Sequence, residues 1–126
     1  MTRTAILGCV AVAALIIPHR VLAQDAVPDT NAVTPAMVDL GRALFHGKGT
    51  CFACHGAHLE GSQIAPTLKA HAWRDAKNGT FDEIFRVVTH GVSGTVMVAF
   101  PGGISRAEAL NAAAYIWSVN NRQAKP

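Results

Sequence analysis

Cys51-Phe52-Ala53-Cys54-His55 constrains this chain more than any other stretch. Two thiols with two residues between them, on one short turn, can each add to a vinyl group of a porphyrin. The residue that follows then lies under the iron, where an imidazole can bind axially. The spacing therefore predicts covalent attachment of haem c through Cys51 and Cys54, with His55 as the proximal iron ligand. Other chemistries match less well. Tetrahedral zinc needs two further ligands from a second cluster; His58 and His71 are near, but no second cysteine pair follows. A thioredoxin-like pair belongs in a strand–helix–strand setting, and no segment here alternates with the two-residue period of a strand. A disulfide across two intervening residues is strained.

The N-terminus reads as a targeting segment. Met1-Thr2-Arg3 supplies a positive start, Ala5 to Ile17 is an unbroken apolar run of 13 residues, and Val21-Leu22-Ala23 offers the small residues a signal peptidase reads. A membrane-spanning helix wants about 20 apolar residues, so residues 1–23 are expected to be a signal peptide cleaved near Ala23-Gln24. An uncleaved anchor is the rival reading. Cys9 lies within the apolar run and is lost with it, leaving two cysteines, both used by the haem. Loss of Arg3 and Arg20 leaves nine basic residues against eight acidic ones, a net +1 with no basic stripe. That argues against nucleic acid and anionic membrane surfaces as partners, and no membrane insertion is expected after signal removal.

The remaining chain is sized for one small domain with a modest core. Residues 24–34, with Asp, Pro, Asn and Thr and little periodicity, read as a linker. Thr34-Pro35 is a helix start, a hydroxyl cap followed by proline at the first helical position. Met37, Leu40, Gly41, Leu44 and Phe45 then mark one helical face. Gly41 weakens a helix relative to alanine, which points to close approach by another backbone or ring. Gly47 and Gly49 end the helix and deliver the chain to Cys51. Residues 56–73 are irregular and read as a haem-wrapping loop, with room for a helical turn over 68–73. Lys77-Asn78-Gly79 is a turn. Thr80 to Glu83 has the form of a capping box opening a helix with Ile84, Phe85, Val87 and Val88 on its apolar face, broken by Gly91 and Gly94. Residues 92–104 are a second irregular segment. Ser105 to Glu108 forms a second capping box before a last helix with an inner stripe of Leu110, Ala113, Ala114 and Trp117, widened by Tyr115 and Ile116 and ending near Asn120-Asn121. The expected fold is all-α: three main helices plus short turns and long loops, in a domain spanning 35–121.

The second axial position decides what such a centre does. With one protein ligand the iron is open to gases or peroxide; with two it is closed and suited to passing electrons. Met97, in a glycine-flanked loop more than 40 residues after His55, has enough chain to reach the far face of the porphyrin. A thioether there would raise the reduction potential. Met37 sits on a helix stripe, where methionine is usually filler. His90 is the rival ligand and would lower the potential. His46, His58 and His71 fit solvated or hydrogen-bonded positions. Spacing favours Met97 and leaves His90 open.

In order, these motifs resemble the monohaem class I cytochromes c of bacteria, most of all the haem domains related to the c-type subunit of cbb-type terminal oxidases. The likeness runs from about Pro35 to Asn120. Gly41 and Phe45 resemble the N-terminal helix pair that packs on the last helix, here at Tyr115. Cys51, Cys54 and His55 are the haem motif. Met97, Phe100 and Gly102-Gly103 resemble the axial-methionine loop. Pro66, in Ala65-Pro66-Thr67-Leu68, resembles the proline whose carbonyl accepts the other N–H of the proximal histidine, which would orient His55 and raise its basicity. The resemblance implies an iron held by His55 and Met97. Two positions depart from the pattern: Val98 stands where a proline usually follows the methionine, and Ala65 where a glycine usually precedes Pro66. Trp73 falls where some relatives bring a tryptophan to a haem propionate. The implied activity is single-electron transfer by Fe(III)/Fe(II) cycling between redox partner proteins, in the periplasm and without catalysis. The alternatives are a haem-bearing small subunit of a dehydrogenase, oxidase or sulfur-oxidising complex, and a haem enzyme or ligand sensor. Lys48, Lys69 and Lys77 are candidates to steer an acidic partner.

Overall fold

A computed structural model describes residues 33–69, 73–121 and 123–126. The expected signal peptide, all of the linker before Val33, the centre of the helical turn expected over 68–73, and His71 lie outside the described residues. The described chain forms four α-helices, α1 (Pro35–His46), α2 (Cys51–His55), α3 (Phe81–His90) and α4 (Arg106–Asn120). Among the described residues there is no strand, and no helix is long and apolar enough to cross a membrane. The five-residue α2, built on the cysteine motif itself, joins the three main helices expected from periodicity.

α4 is the centre of the packing, with α1 and α3 both laid against it. Its Ser105 cap forms as the sequence predicts: the hydroxyl accepts from the Glu108 N–H at 3.2 Å, and the Glu108 carboxylate accepts from the Ser105 N–H at 2.7 Å. Both satisfy donors that a helix start otherwise leaves open. Because two helices and a cavity surround it, α4 is buried on more sides than a single stripe. Ala109, Ala112, Ala113, Ala114, Tyr115, Ile116, Ser118 and Val119 are all buried, whereas Leu110 and Trp117 are only half-buried.

α1 starts where Thr34 and Pro35 place it, with the Thr34 hydroxyl accepting from the Met37 N–H at 3.3 Å. It stops where the Gly47 and Gly49 N–H groups both turn back to the Leu44 carbonyl, at 3.3 and 2.9 Å. Its buried face is narrower than the periodicity suggested. Gly41 and Phe45 are buried, but Leu40 is 56% exposed. The cause is the closeness of the α1–α4 crossing: a Cβ on Gly41 would lie 2.6 Å from the Asn111 carbonyl carbon and 2.8 Å from the Tyr115 Cβ. Helices this close touch along the line of Gly41 and Phe45, and Leu40 falls outside it. Phe45 meets the fully buried Tyr115 edge-on, ring centroids 5.6 Å apart. Each such burial is worth about 1.5–3 kcal/mol.

α3 corrects one expectation. Thr80 is its cap residue, but the hydroxyl makes no capping bond and turns back to the Lys77 carbonyl at 3.5 Å. Glu83 does not reach the cap either, because Arg86 holds it at 2.8 Å. A neighbouring guanidinium offers the carboxylate a charge-assisted bond in place of a neutral N–H. The helix still buries Phe81, Ile84, Phe85 and Val88, and Gly91, at φ 69°, ends it.

Candidate haem site

A cavity of about 330 Å³ opens between α2, α3, α4 and the two long loops. Its walls hold Cys51, Cys54 and His55 from α2, Pro66 from the first loop and Met97 from the second. Ile84, Val88, Ala112 and Ile116 supply an apolar lining from α3 and α4. His55 and Met97, 42 positions apart in sequence, thus face one space, which periodicity could not establish.

α2 begins abruptly. Thr50 is left-handed (φ 51°), turning the chain out of the glycine segment so that the motif starts its helix at Cys51. The two cysteines lie one helical turn apart on a face that borders the cavity, both half-buried and unpaired. Burial pushes the Cys51 thiol up to about 11.

His55 Nδ1 lies 2.9 Å from the Pro66 carbonyl oxygen. A carbonyl only accepts, so Nδ1 carries the proton and Nε2 keeps its lone pair. Burial holds the imidazole below its usual pKa, against the opposing effect of the Pro66 carbonyl, and so favours the neutral ring a metal needs. The loop that delivers Pro66 ties to itself. The Gly61 N–H donates to the His55 carbonyl at 2.7 Å, the Leu68 N–H to Leu59 O at 2.8 Å, and the Thr67 hydroxyl to Leu59 O at 3.0 Å. Gly61 (φ 86°) must lack a side chain, since a Cβ would sit 2.8 Å from the Pro66 carbonyl carbon.

Leu59 is the positioning residue that sequence reasoning passed over. It is fully buried, holds a left-handed φ of 62°, and its carbonyl receives two of the loop's bonds. Its signal was a lone large apolar residue in a polar segment.

Of the two candidate distal ligands, Met97 lines the cavity and His90 does not. His90 is exposed at the end of α3, its Nδ1 turned back to the Arg86 carbonyl at 3.0 Å and beside the Thr89 hydroxyl at 2.9 Å. Met97 is half-buried, within a loop whose Phe100 N–H docks on the Val88 carbonyl at 2.9 Å. Gly91 lets that loop come close, since a Cβ there would meet the Met97 oxygen at 2.5 Å. Trp73 also lines the cavity and presses its indole on Gly79. Of the lysines singled out, Lys48 is committed to Glu108 at 2.8 Å, while Lys69 and Lys77 are exposed. Met37 packs against the core, and His46 and His58 are exposed.

Two thiols, a neutral imidazole and a thioether around one apolar cavity form a donor set that fits an iron porphyrin. Helical architecture and motif together are those of a class I c-type cytochrome, with haem c as cofactor. The family described as cytochrome c oxidase, cbb3-type, subunit III, matches residues 36–116, and the chain belongs to it. The cbb3-type cytochrome c oxidase subunit CcoP of Azospirillum brasilense is 35% identical over 94 residues, covering 65% of this chain and 30% of that relative. The chain thus spans under a third of that curated relative. Cytochrome cL of Methylophaga aminisulfidivorans superposes with a TM-score of 0.59 at 26% identity, covering 68% of this chain and 56% of its own. Cytochrome c6 of the diatom Phaeodactylum tricornutum does so with a TM-score of 0.56 at 30% identity, covering 68% and 97%.

Proposed function

We propose that this chain is an exported monohaem cytochrome that passes single electrons between redox proteins in the periplasm and catalyses no reaction itself. The observation that carries the reading is the shared cavity, in which Met97 joins Cys51, Cys54 and His55 while His90 lies outside. Cys51 and Cys54 would hold the haem by thioether bonds. His55 would ligate the iron through Nε2, oriented by its bond to Pro66, and the Met97 thioether would be the other protein ligand. The haem supplies the Fe(III)/Fe(II) couple. The chain's part would be to hold the iron through His55 and Met97, exclude water with Ile84, Val88 and Ile116, and set the potential by ligand and burial.

A subunit role is the second reading, favoured by the likeness to an oxidase subunit much longer than this chain. An optical redox titration of the purified holoprotein tests the main proposal. A reversible one-electron wave, a red-region sulfur-to-iron charge-transfer band in the oxidised form and no carbon monoxide binding in the reduced form are expected. Carbon monoxide binding at neutral pH would point instead to an open site and an enzyme or sensor. Gel filtration of native extract separates a free carrier from a subunit.

A further inference from the structure

We infer that Thr95 is a positioning residue for the distal ligand: its hydroxyl closes a ring of hydrogen bonds that holds the Met97 backbone in place. The inference rests on the reading of Met97 as an axial ligand. The loop between Gly91 and Phe100 has no regular secondary structure, and Ser93, Gly94, Thr95 and Val96 are exposed. Its ends are fixed on α3 by the Gly91 N–H to Val87 O (2.8 Å) and the Phe100 N–H to Val88 O (2.9 Å). Between them, Met97 has to be held against a turn containing Gly94, at φ 75° with nothing within 4 Å of its Cβ position.

Three residues do this. The Thr95 hydroxyl donates to the Val92 carbonyl at 2.8 Å and accepts from the Met97 N–H at 3.1 Å. The Val92 N–H donates to the Met97 carbonyl at 2.8 Å, and the Thr95 N–H returns to the Val92 carbonyl at 3.2 Å. Met97 is thus tethered on both sides of its Cα, and Thr95 is the partner its N–H finds. A hydroxyl is required, because the position must donate and accept at once. Val98 places no restriction on the Met97 backbone of the kind a proline there would impose. The tether therefore falls to side-chain chemistry.

An iron–thioether bond is a ligand that water or an added base can replace, so its persistence depends on how far the sulfur is preorganised. Removing the tether adds conformations to the released loop without touching the sulfur or the cavity wall. The test is displacement of the thioether by imidazole in the oxidised holoprotein, an exchange of one iron–sulfur bond for one iron–nitrogen bond with no change of oxidation state. The readout is loss of the red sulfur-to-iron band. Thr95→Val and Thr95→Ala are expected to lower the apparent dissociation constant for imidazole roughly threefold to tenfold, as loss of one net hydrogen bond implies. Thr95→Ser should restore the parent value. Thermal melts of Thr95→Val and Thr95→Ala should fall by several degrees at most, the loss of one net hydrogen bond at an exposed position, and that of Thr95→Ser should match the parent. An unchanged imidazole constant in Thr95→Val and Thr95→Ala overturns the tether. A parent protein with no sulfur-to-iron band fails differently: it removes Met97 as ligand, and the tether with it.

Discussion

Replacing Gly41 by alanine sets two effects of known size against each other. In an isolated helix the change is favourable by about 1 kcal/mol. In this fold the new methyl would stand 2.6 Å from the Asn111 carbonyl carbon and 2.8 Å from the Tyr115 Cβ. The Asn111 carbonyl oxygen would stand nearer still, and non-bonded heavy atoms are at ease near roughly 3.5 Å, so α1 and α4 must part by roughly 1 Å or more. The neighbour is helix backbone and cannot swing aside as a side-chain tip would. A gap of that size forfeits a quarter to a half of the dispersion energy along the seam, including the Phe45–Tyr115 contact. Overpacking of this kind costs about 1–3 kcal/mol, and an unyielding backbone puts it at the upper end. The net loss is about 2 kcal/mol, or a fall in Tm of roughly 8–16 °C for a domain of this size. The assay is a far-ultraviolet circular dichroism melt of the holoprotein. Ala43→Gly serves as the control on the exposed side of the same helix, where propensity alone predicts a loss of about 1 kcal/mol. If Gly41→Ala melts at or above the parent, the close crossing is not what the glycine is for.

Further tests address the site and its supports. Met97→Ala should abolish the red sulfur-to-iron band and lower the potential, whereas His90→Ala should leave both unchanged; optical titration of the pair checks this. The Lys48 ammonium, followed by the Ser105 N–H, holds Glu108 down from 4.5 to about 2. Because the folded value is the lower one, the stabilisation is complete above about 4.5 and disappears as pH falls through about 2. Tm measured against pH should therefore show Glu108→Gln below the parent at neutral pH, with the difference closing over that window. Chain that never receives haem, as in the Cys51→Ala/Cys54→Ala double variant, should be poorly folded. The apolar walls of the 330 Å³ cavity, Ile84, Val88 and Ile116 among them, would then face water rather than a macrocycle, a loss of burial that a domain of about 5–15 kcal/mol stability carries poorly. Native helix content by circular dichroism in that variant would contradict this.

The readable parts of the chain were those where local chemistry and tertiary demand coincide. Ser105 to Glu108 caps α4 because both partners lie within one turn and no rival is near. The similar pattern at Thr80 to Glu83 does not close, because Arg86 takes Glu83. The arginine was legible in the sequence, but its preference over the cap was not. Leu40 illustrates the same limit: a three- and four-residue period marks a face, but how much of it is covered depends on how near the next helix comes. Spacing favoured Met97 but left His90 open as a ligand; in the folded chain Met97 lines the cavity and His90 does not.

The sequence by itself determined the chemistry of attachment, since two thiols and an imidazole on one turn are set by covalent spacing. It also determined where the main helices begin, because Thr34-Pro35 and Ser105 act within a single turn. Tertiary structure decided which distant side chains share the cavity, and the left-handed turn at Leu59 within the loop that delivers the Pro66 carbonyl to His55. The physical reason is range. Capping and covalent spacing are fixed within a few residues. A wall that joins His55 to Met97, 42 positions apart, exists only once α4 has drawn α1, α3 and both loops around it.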